Sequence, residues 1–204
     1  MVTRTGGRRG GFSLVEMIIA LSITATLMTA ALSALDASFK SYKATTDAVS
    51  THVVTRVVIN RITSMVRNGD EFGPFPLDPL DKTQNPLKST FMEFVGSRSE
   101  DGTSKTVVRL ERRDAAEGSA APYELWYVAK TFVNSTLTES ESRVLLNNVQ
   151  QASFTLYYDM VPQLQRATVD LIVKPDDLGA TGPHSDMGAP PIRMVTSVSP
   201  RRLE

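Results

Sequence analysis

Apolar residues gather in one long block near the start of the chain and then thin into short alternating runs. Between Phe12 and Leu35 the only polar residues besides Ser and Thr is a single carboxylate, Glu16. As a helix, these 24 residues reach about 36 Å, enough to cross a ~30 Å hydrocarbon core. The hydroxyls of Ser13, Ser22, Thr24, Thr26, Thr29 and Ser33 lower the hydropathy. Each can return a hydrogen bond to the preceding turn, so they are compatible with a span. Ala20, Ala25, Ala30, Ala31 and Ala34 would let another helix approach closely.

No Gly or Pro occurs between Phe12 and Asn68, and Gly69 then supplies a stop signal. The pattern predicts one helix over 12–68, about 85 Å long and longer than any bilayer, so its second half is expected to lie outside the membrane. There Phe39, Tyr42, Val49, Val53, Val57, Ile62 and Met65 recur at roughly helical intervals, with Arg56, Arg61 and Arg67 among them. This amphipathic stripe is expected to cover a following domain. The β-branched cluster over 53–59 lowers helix propensity and marks a place for a kink or an early end.

Residues 70–90, rich in Pro and Asp, read as an irregular connection. Runs with strand character follow at 90–95, 106–112, 123–131, 142–146, 152–159, 167–173 and 192–197. Polar breaks fall at 96–104, 114–122, 134–141 and 175–191. Phe154, Leu156 and Tyr158 alternate cleanly, whereas 106–111 leaves its buried face undecided. Short breaks favour antiparallel pairing, since parallel strands need long crossovers. The expected class is α+β: a helical spine, its first half transmembrane, packed by its second half on a C-terminal antiparallel sheet of four or more strands. Trp126, Tyr127, Phe132, Phe154, Tyr157 and Tyr158 are expected to fill much of the core and the sheet surface.

Arg4, Arg8 and Arg9 precede the apolar block, and Asp36, Lys40 and Lys43 follow it. The positive-inside rule then places the N-terminus in the cytoplasm. A secretory signal peptide is one alternative, with Ala31, Ser33 and Ala34 imitating its cleavage site, but this run exceeds the usual ~7–15 apolar residues. An uncleaved single-pass anchor is another, with Glu16 near the membrane edge reaching water or headgroups.

The sequence Gly10-Gly11-Phe12-Ser13-Leu14-Val15-Glu16, behind its basic leader, resembles the class III signal of type IV prepilins and type II secretion pseudopilins. The resemblance implies a pilin-like fold and removal of residues 1–11 by a prepilin peptidase between Gly11 and Phe12. It also implies N-methylation of Phe12. Gly suits such a site because a protease must approach the extended backbone closely. Cleavage would leave an ammonium on Phe12, with Glu16 about one turn further on. In a fibre, Glu16 of one subunit can neutralise the Phe12 ammonium of a neighbour. Either charge alone would be costly in an apolar bundle, so the pair favours one axial register. The implied segments are a leader (1–11), a transmembrane half-spine (12–35), an amphipathic half-spine (36–68) and a periplasmic or extracellular sheet domain (69–204). The implied partners are the peptidase, other subunits through the N-terminal helix, and the inner membrane.

Three weaker matches resemble J-type minor pseudopilins and W-type minor pilins. They are the aliphatic/arginine pattern over 58–68, the Phe-x-x-Tyr run within 145–159, and the terminal strand 192–201. Arg202 and Pro200 depart from that terminal pattern.

Charge is balanced at 22 basic and 22 acidic residues, and loss of the leader would remove three arginines, leaving 19 against 22. Mild acidity without clustered Lys and Arg argues against a nucleic-acid partner. With no Cys the chain forms no disulfide and no thiolate metal site. His52 and His184 are its only histidines, and neither has a catalytic setting, so no enzyme and no cofactor is expected. Asp176, Asp177 and Asp186, among Gly179, Gly182 and Gly188, are weak calcium candidates without EF-hand spacing. The function expected is structural: a minor subunit of a type II secretion pseudopilus or a type IV pilus. The alternative is an adhesion or DNA-uptake module displayed on the same spine through loops 74–86 and 175–191.

Overall fold

A computed structural model of the chain describes residues 11–119, 121–159, 163–175 and 190–201. The chain divides into two compact units at Lys43/Ala44. One continuous helix, α1 (Leu14–Asn68), supplies the first unit and opens the second. In the second unit it is followed by strands β1 (Asp70–Gly73), β2 (Leu87–Ser89), β3 (Phe91–Arg98), β4 (Ser104–Asp114), β5 (Tyr123–Val133), β6 (Thr136–Tyr158), β7 (Leu164–Val173) and β8 (Ile192–Val198). All pair antiparallel in one sheet ordered β1-β3-β4-β5-β6-β7-β8, with β2 also on β6. A long apolar helix packed on an antiparallel sheet is the α+β, pilin-like architecture expected.

The helix meets the sheet through Thr55, the adjacent pair Val58 and Ile59, Ile62 and Val66, which recur at three- or four-residue steps on one face. Thr55 is fully buried, and its hydroxyl is satisfied by donating to the Thr51 carbonyl (2.7 Å). Against that face lie Met92 and Phe94 of β3, Val108 and Leu110 of β4, Leu125 of β5, Phe154 and Leu156 of β6, and Val169 and Leu171 of β7. The alternation left open over 106–111 is thereby resolved, with Val108 and Leu110 inward.

The expected stripe needs correction. Phe39, Tyr42, Val49, Val53 and Val57 are exposed, and only Ile62 and Met65 of that set touch the core. At ~100° per residue Val49, Val53 and Val57 fall on the side of the helix roughly opposite Ile62. The sequence pattern had merged two apolar faces of one helix. No break occurs in the β-branched cluster.

The helix ends where Gly69 predicted, and packing explains why that residue is Gly. A Cβ at Gly69 would stand 2.6 Å from Phe94 Cδ2 and 3.1 Å from the Phe72 ring. Beyond β8, the Arg201 N–H donates to the Arg67 carbonyl (2.8 Å), satisfying one orphan acceptor of the helix end.

Strands β1 and β2 lie within the stretch expected to be irregular. The break expected at 134–141 shrinks to a two-residue hairpin turn, with Asn134 (φ 48°) and Ser135 (φ 65°) both left-handed. The runs 142–146 and 152–159 are one strand, β6, bent at a register shift beside Asn148 (φ 56°). Pairing with β7 begins only at Val149, so the first half of β6 is a sheet edge.

The aromatic expectation holds for Phe154 and Tyr158, which are buried. Trp126, Tyr127, Phe132 and Tyr157 are half-buried, and the core is mainly aliphatic. Guanidinium groups lie over several of these rings: Arg113 on Trp126 (4.5 Å), Arg143 on Tyr127 (4.7 Å) and Arg166 on Tyr157 (4.1 Å). Arg109 and Arg113 also flank the Glu111 carboxylate at 2.7 and 2.5 Å, and Arg109 covers Phe91.

Candidate processing and assembly site

Gly11, Phe12 and Ser13 precede the first turn of α1 and belong to no regular element. Ser13 is the N-cap: its carbonyl accepts the first intrahelical bond from the Met17 N–H (3.1 Å). Glu16, the third helical residue, turns its side chain back so that Oε2 accepts the Ser13 N–H (2.9 Å). This is the carboxylate arm of a capping box, placed where the helix dipole favours negative charge. The sequence reading turns Glu16 outward, to a neighbouring subunit or to water and headgroups at the membrane edge. The Ser13-x-x-Glu16 spacing was the signal for this second role within its own chain.

The glycine before Phe12 has no packing role among the described residues. A Cβ at Gly11 would meet none of their atoms within 4 Å. The fold therefore does not explain Gly at that position, in contrast to Gly69. Phe12 itself is 85% exposed.

Beyond this start, α1 is exposed on all sides through Leu35. It is the one helix among the described residues that is long and apolar enough to cross a membrane. Four of its hydroxyls are turned inward to the helix backbone. Ser22 donates to the Ile18 carbonyl (2.9 Å), Thr24 to Ala20 (2.7 Å), Thr26 to Ile23 (2.8 Å) and Thr29 to Ala25 (2.9 Å). Hydrocarbon offers no solvent partner for such groups, so internal satisfaction suits a span. Just past it, Lys40 and Asp36 form an exposed i,i+4 pair at 2.6 Å.

Of the remaining candidates, His52 sits exposed on α1. Asp176, Asp177, Asp186 and His184 lie outside the described residues. Among the described residues no group of three His, Cys, Asp or Glu is placed to hold a metal ion. Loop 74–86 is tightly organised. Asn85 Nδ2 donates to the carbonyls of Pro79 (2.9 Å) and Tyr158 (2.8 Å), and its Oδ1 accepts the Tyr158 N–H (3.1 Å). The Tyr158 hydroxyl donates to the Pro74 carbonyl (2.9 Å), and burial, with the Glu93 charge second, raises its pKa above the ordinary 10.0. Hydrogen bonds from the Thr83 backbone and hydroxyl hold the Asp81 pKa below its usual value.

The family model of the prokaryotic N-terminal methylation motif matches residues 7–32. That window holds Gly11, Phe12 and Glu16 together with most of the apolar block, and it supports a prepilin-type, type IV pilin-like protein. The motif points to processing by a prepilin peptidase and to assembly with other pilin-type subunits, and the long apolar helix fits a membrane-anchored pilin. No curated protein and no solved structure matches the chain.

Proposed function

We propose that this chain is a structural minor subunit, cut between Gly11 and Phe12, N-methylated on Phe12, and assembled through α1 into a pseudopilus or pilus. The observation that carries the reading is the two-sided helix. One face of its second half is covered by the chain's own sheet, while Val49, Val53 and Val57 are exposed on the other. An apolar face on a soluble segment is costly unless another molecule covers it. The methylation motif supports the partner class, other pilin-type subunits. Before assembly, the first half of α1 spans the inner membrane, with the basic leader cytoplasmic and the sheet domain periplasmic.

The role proposed is non-catalytic. Minor-subunit status, of the J or W type, rests on the sequence resemblances over 58–68, 145–159 and 192–201. Co-expression with a prepilin peptidase tests the first step. The intact mass of membrane-extracted protein should fall by the mass of residues 1–11, with a further methyl group on Phe12. Retention of Met1 through Gly11 under those conditions removes the proposal.

A further inference from the structure

A short stretch of α1, Asp36 to Lys43, lies between two boundaries. The apolar block ends at Leu35, and the compact unit that carries the sheet begins at Ala44. The stretch is about 12 Å long at ~1.5 Å per residue and is exposed throughout. It holds two aromatic rings, Phe39 (64% exposed) and Tyr42 (73%). Leu35, Phe39, Tyr42 and Lys43 stand three or four residues apart and share one side of the helix. Lys40 is already paired with Asp36. Neither ring belongs to the core of the sheet domain.

This arrangement fits a membrane–water interface. The headgroup layer adds about 5–8 Å on each side of the hydrocarbon. Aromatic rings gather at that level, and a lysine stem can lie along them while its ammonium reaches a lipid phosphate. Continuity selects lipid as the occupant, because the apolar side runs from the span into the rings without a break. The charge of Lys43 complements phosphate at the same level.

The depth of the span follows. A ~30 Å hydrocarbon core is crossed in about 20 helical residues, fewer than the block from Phe12 to Leu35 supplies. With Leu35 held at one edge, the other edge falls at Val15 and Glu16. The Glu16 carboxylate then reaches the opposite headgroup layer instead of the membrane interior.

We propose that Phe39, Tyr42 and Lys43 form an anchor for phospholipid headgroups at the Leu35 end of the span, and that this anchor holds Glu16 at the opposite hydrocarbon edge before assembly. The proposal rests on the membrane-anchored reading and goes beyond it, since a span alone does not fix its own depth.

Because the chain has no Cys, single cysteines report depth without interference. Full-length protein is placed at low density in phosphatidylethanolamine/phosphatidylglycerol vesicles with no other protein, and an impermeant maleimide is supplied on both sides. Leu27→Cys, Ala34→Cys and Ala20→Cys should resist the reagent, and Ser13→Cys and Thr46→Cys should react. Ser38→Cys should react several-fold more slowly than Thr46→Cys. Adding Phe39→Ser and Tyr42→Ser, both at exposed positions outside the core, should leave the unfolding midpoint unchanged and free this end of the helix. Ser38→Cys should then match Thr46→Cys, Ala34→Cys should begin to react, and Ser13→Cys should slow as its end is drawn inward. Lys43→Glu should shift the profile in the same direction. A parent Ser38→Cys as reactive as Thr46→Cys, or a profile unmoved by the paired serines, would overturn the proposal. So would protection of Ser38→Cys that appears only when other pilin-type subunits are present, which marks a protein contact. Free reaction of Leu27→Cys would remove the span itself, so failure of the anchor and failure of the membrane reading are told apart.

Discussion

Gly69 and Tyr158 show how single positions carry the closure of a sheet domain that has no disulfide. At Gly69 the ring of Phe94, itself almost fully buried, occupies the space a methyl group would need. Gly69→Ala is therefore expected to destabilise the protein by about 1–3 kcal/mol, in the range for overpacking a core, as measured by denaturant unfolding. Gly11→Ala meets open space and should leave stability unchanged in the same experiment. Tyr158 ties the end of β6 to Pro74, and its neutral form is the one the folded state holds. Its folded pKa lies above the unfolded value near 10.0, so the folded chain binds the proton more tightly. The contribution is complete below that value and is lost as pH rises above it. Unfolding midpoints for the wild type should fall more steeply between pH 9 and 11 than those for Tyr158→Phe (~pH values chosen to bracket the ordinary Tyr pKa). The Phe variant should also lose about 1 kcal/mol at neutral pH with the hydroxyl's hydrogen bond.

At the scale of elements, α1 carries two jobs on two faces, and mutation can separate them. Ile62→Ala, at a fully buried position, should cost the isolated subunit about 2–5 kcal/mol. Val53→Asp and Val57→Asp, both at exposed positions, should each change subunit stability by no more than about 0.5 kcal/mol. On the proposed function the same two changes should sharply lower recovery in the sheared fibre fraction; wild-type recovery would remove the open face as an assembly surface. The helix, its end at Gly69 and the antiparallel sheet were legible because periodicity and punctuation agree there. The choice of face was not, because Val53 and Val57 look as apolar in sequence as Val58 and Ile62. The start of β6, residues 136–141, was hidden for a different reason. These residues are exposed on both sides, so no alternation records the strand. Its continuity past Asn148 depends on a left-handed residue that is not Gly. Strand β2 has three residues, too few to show a period. At the candidate site, Gly11, Phe12 and Glu16 stand out in sequence because a basic leader, a Gly and a lone carboxylate rarely share one apolar block. The capping bond of Glu16 lay in the same letters but was masked by the more conspicuous charge argument.

For the whole molecule, the central question is how one carboxylate serves both its own helix and a neighbour. Glu16 has two oxygens; Oε2 is engaged by Ser13, which leaves acceptor capacity for a second donor. The cap needs an acceptor, whereas the proposed register needs a charge. Glu16→Gln keeps an oxygen that can accept the Ser13 N–H but removes the charge, and Glu16→Ala removes both. Leader removal should proceed in both variants, because the proposed scissile bond between Gly11 and Phe12 lies outside the helix. Amide exchange at the first turn of α1 should remain near wild type in Glu16→Gln and quicken in Glu16→Ala, in line with the loss of a cap. Incorporation beside wild-type subunits should fall in both variants. Wild-type incorporation of Glu16→Gln would show that the cap is the residue's whole contribution and that no charge pair sets the register. A shortfall confined to Glu16→Ala would lead to the same conclusion, because it would trace assembly to the shape of the helix start and not to its charge.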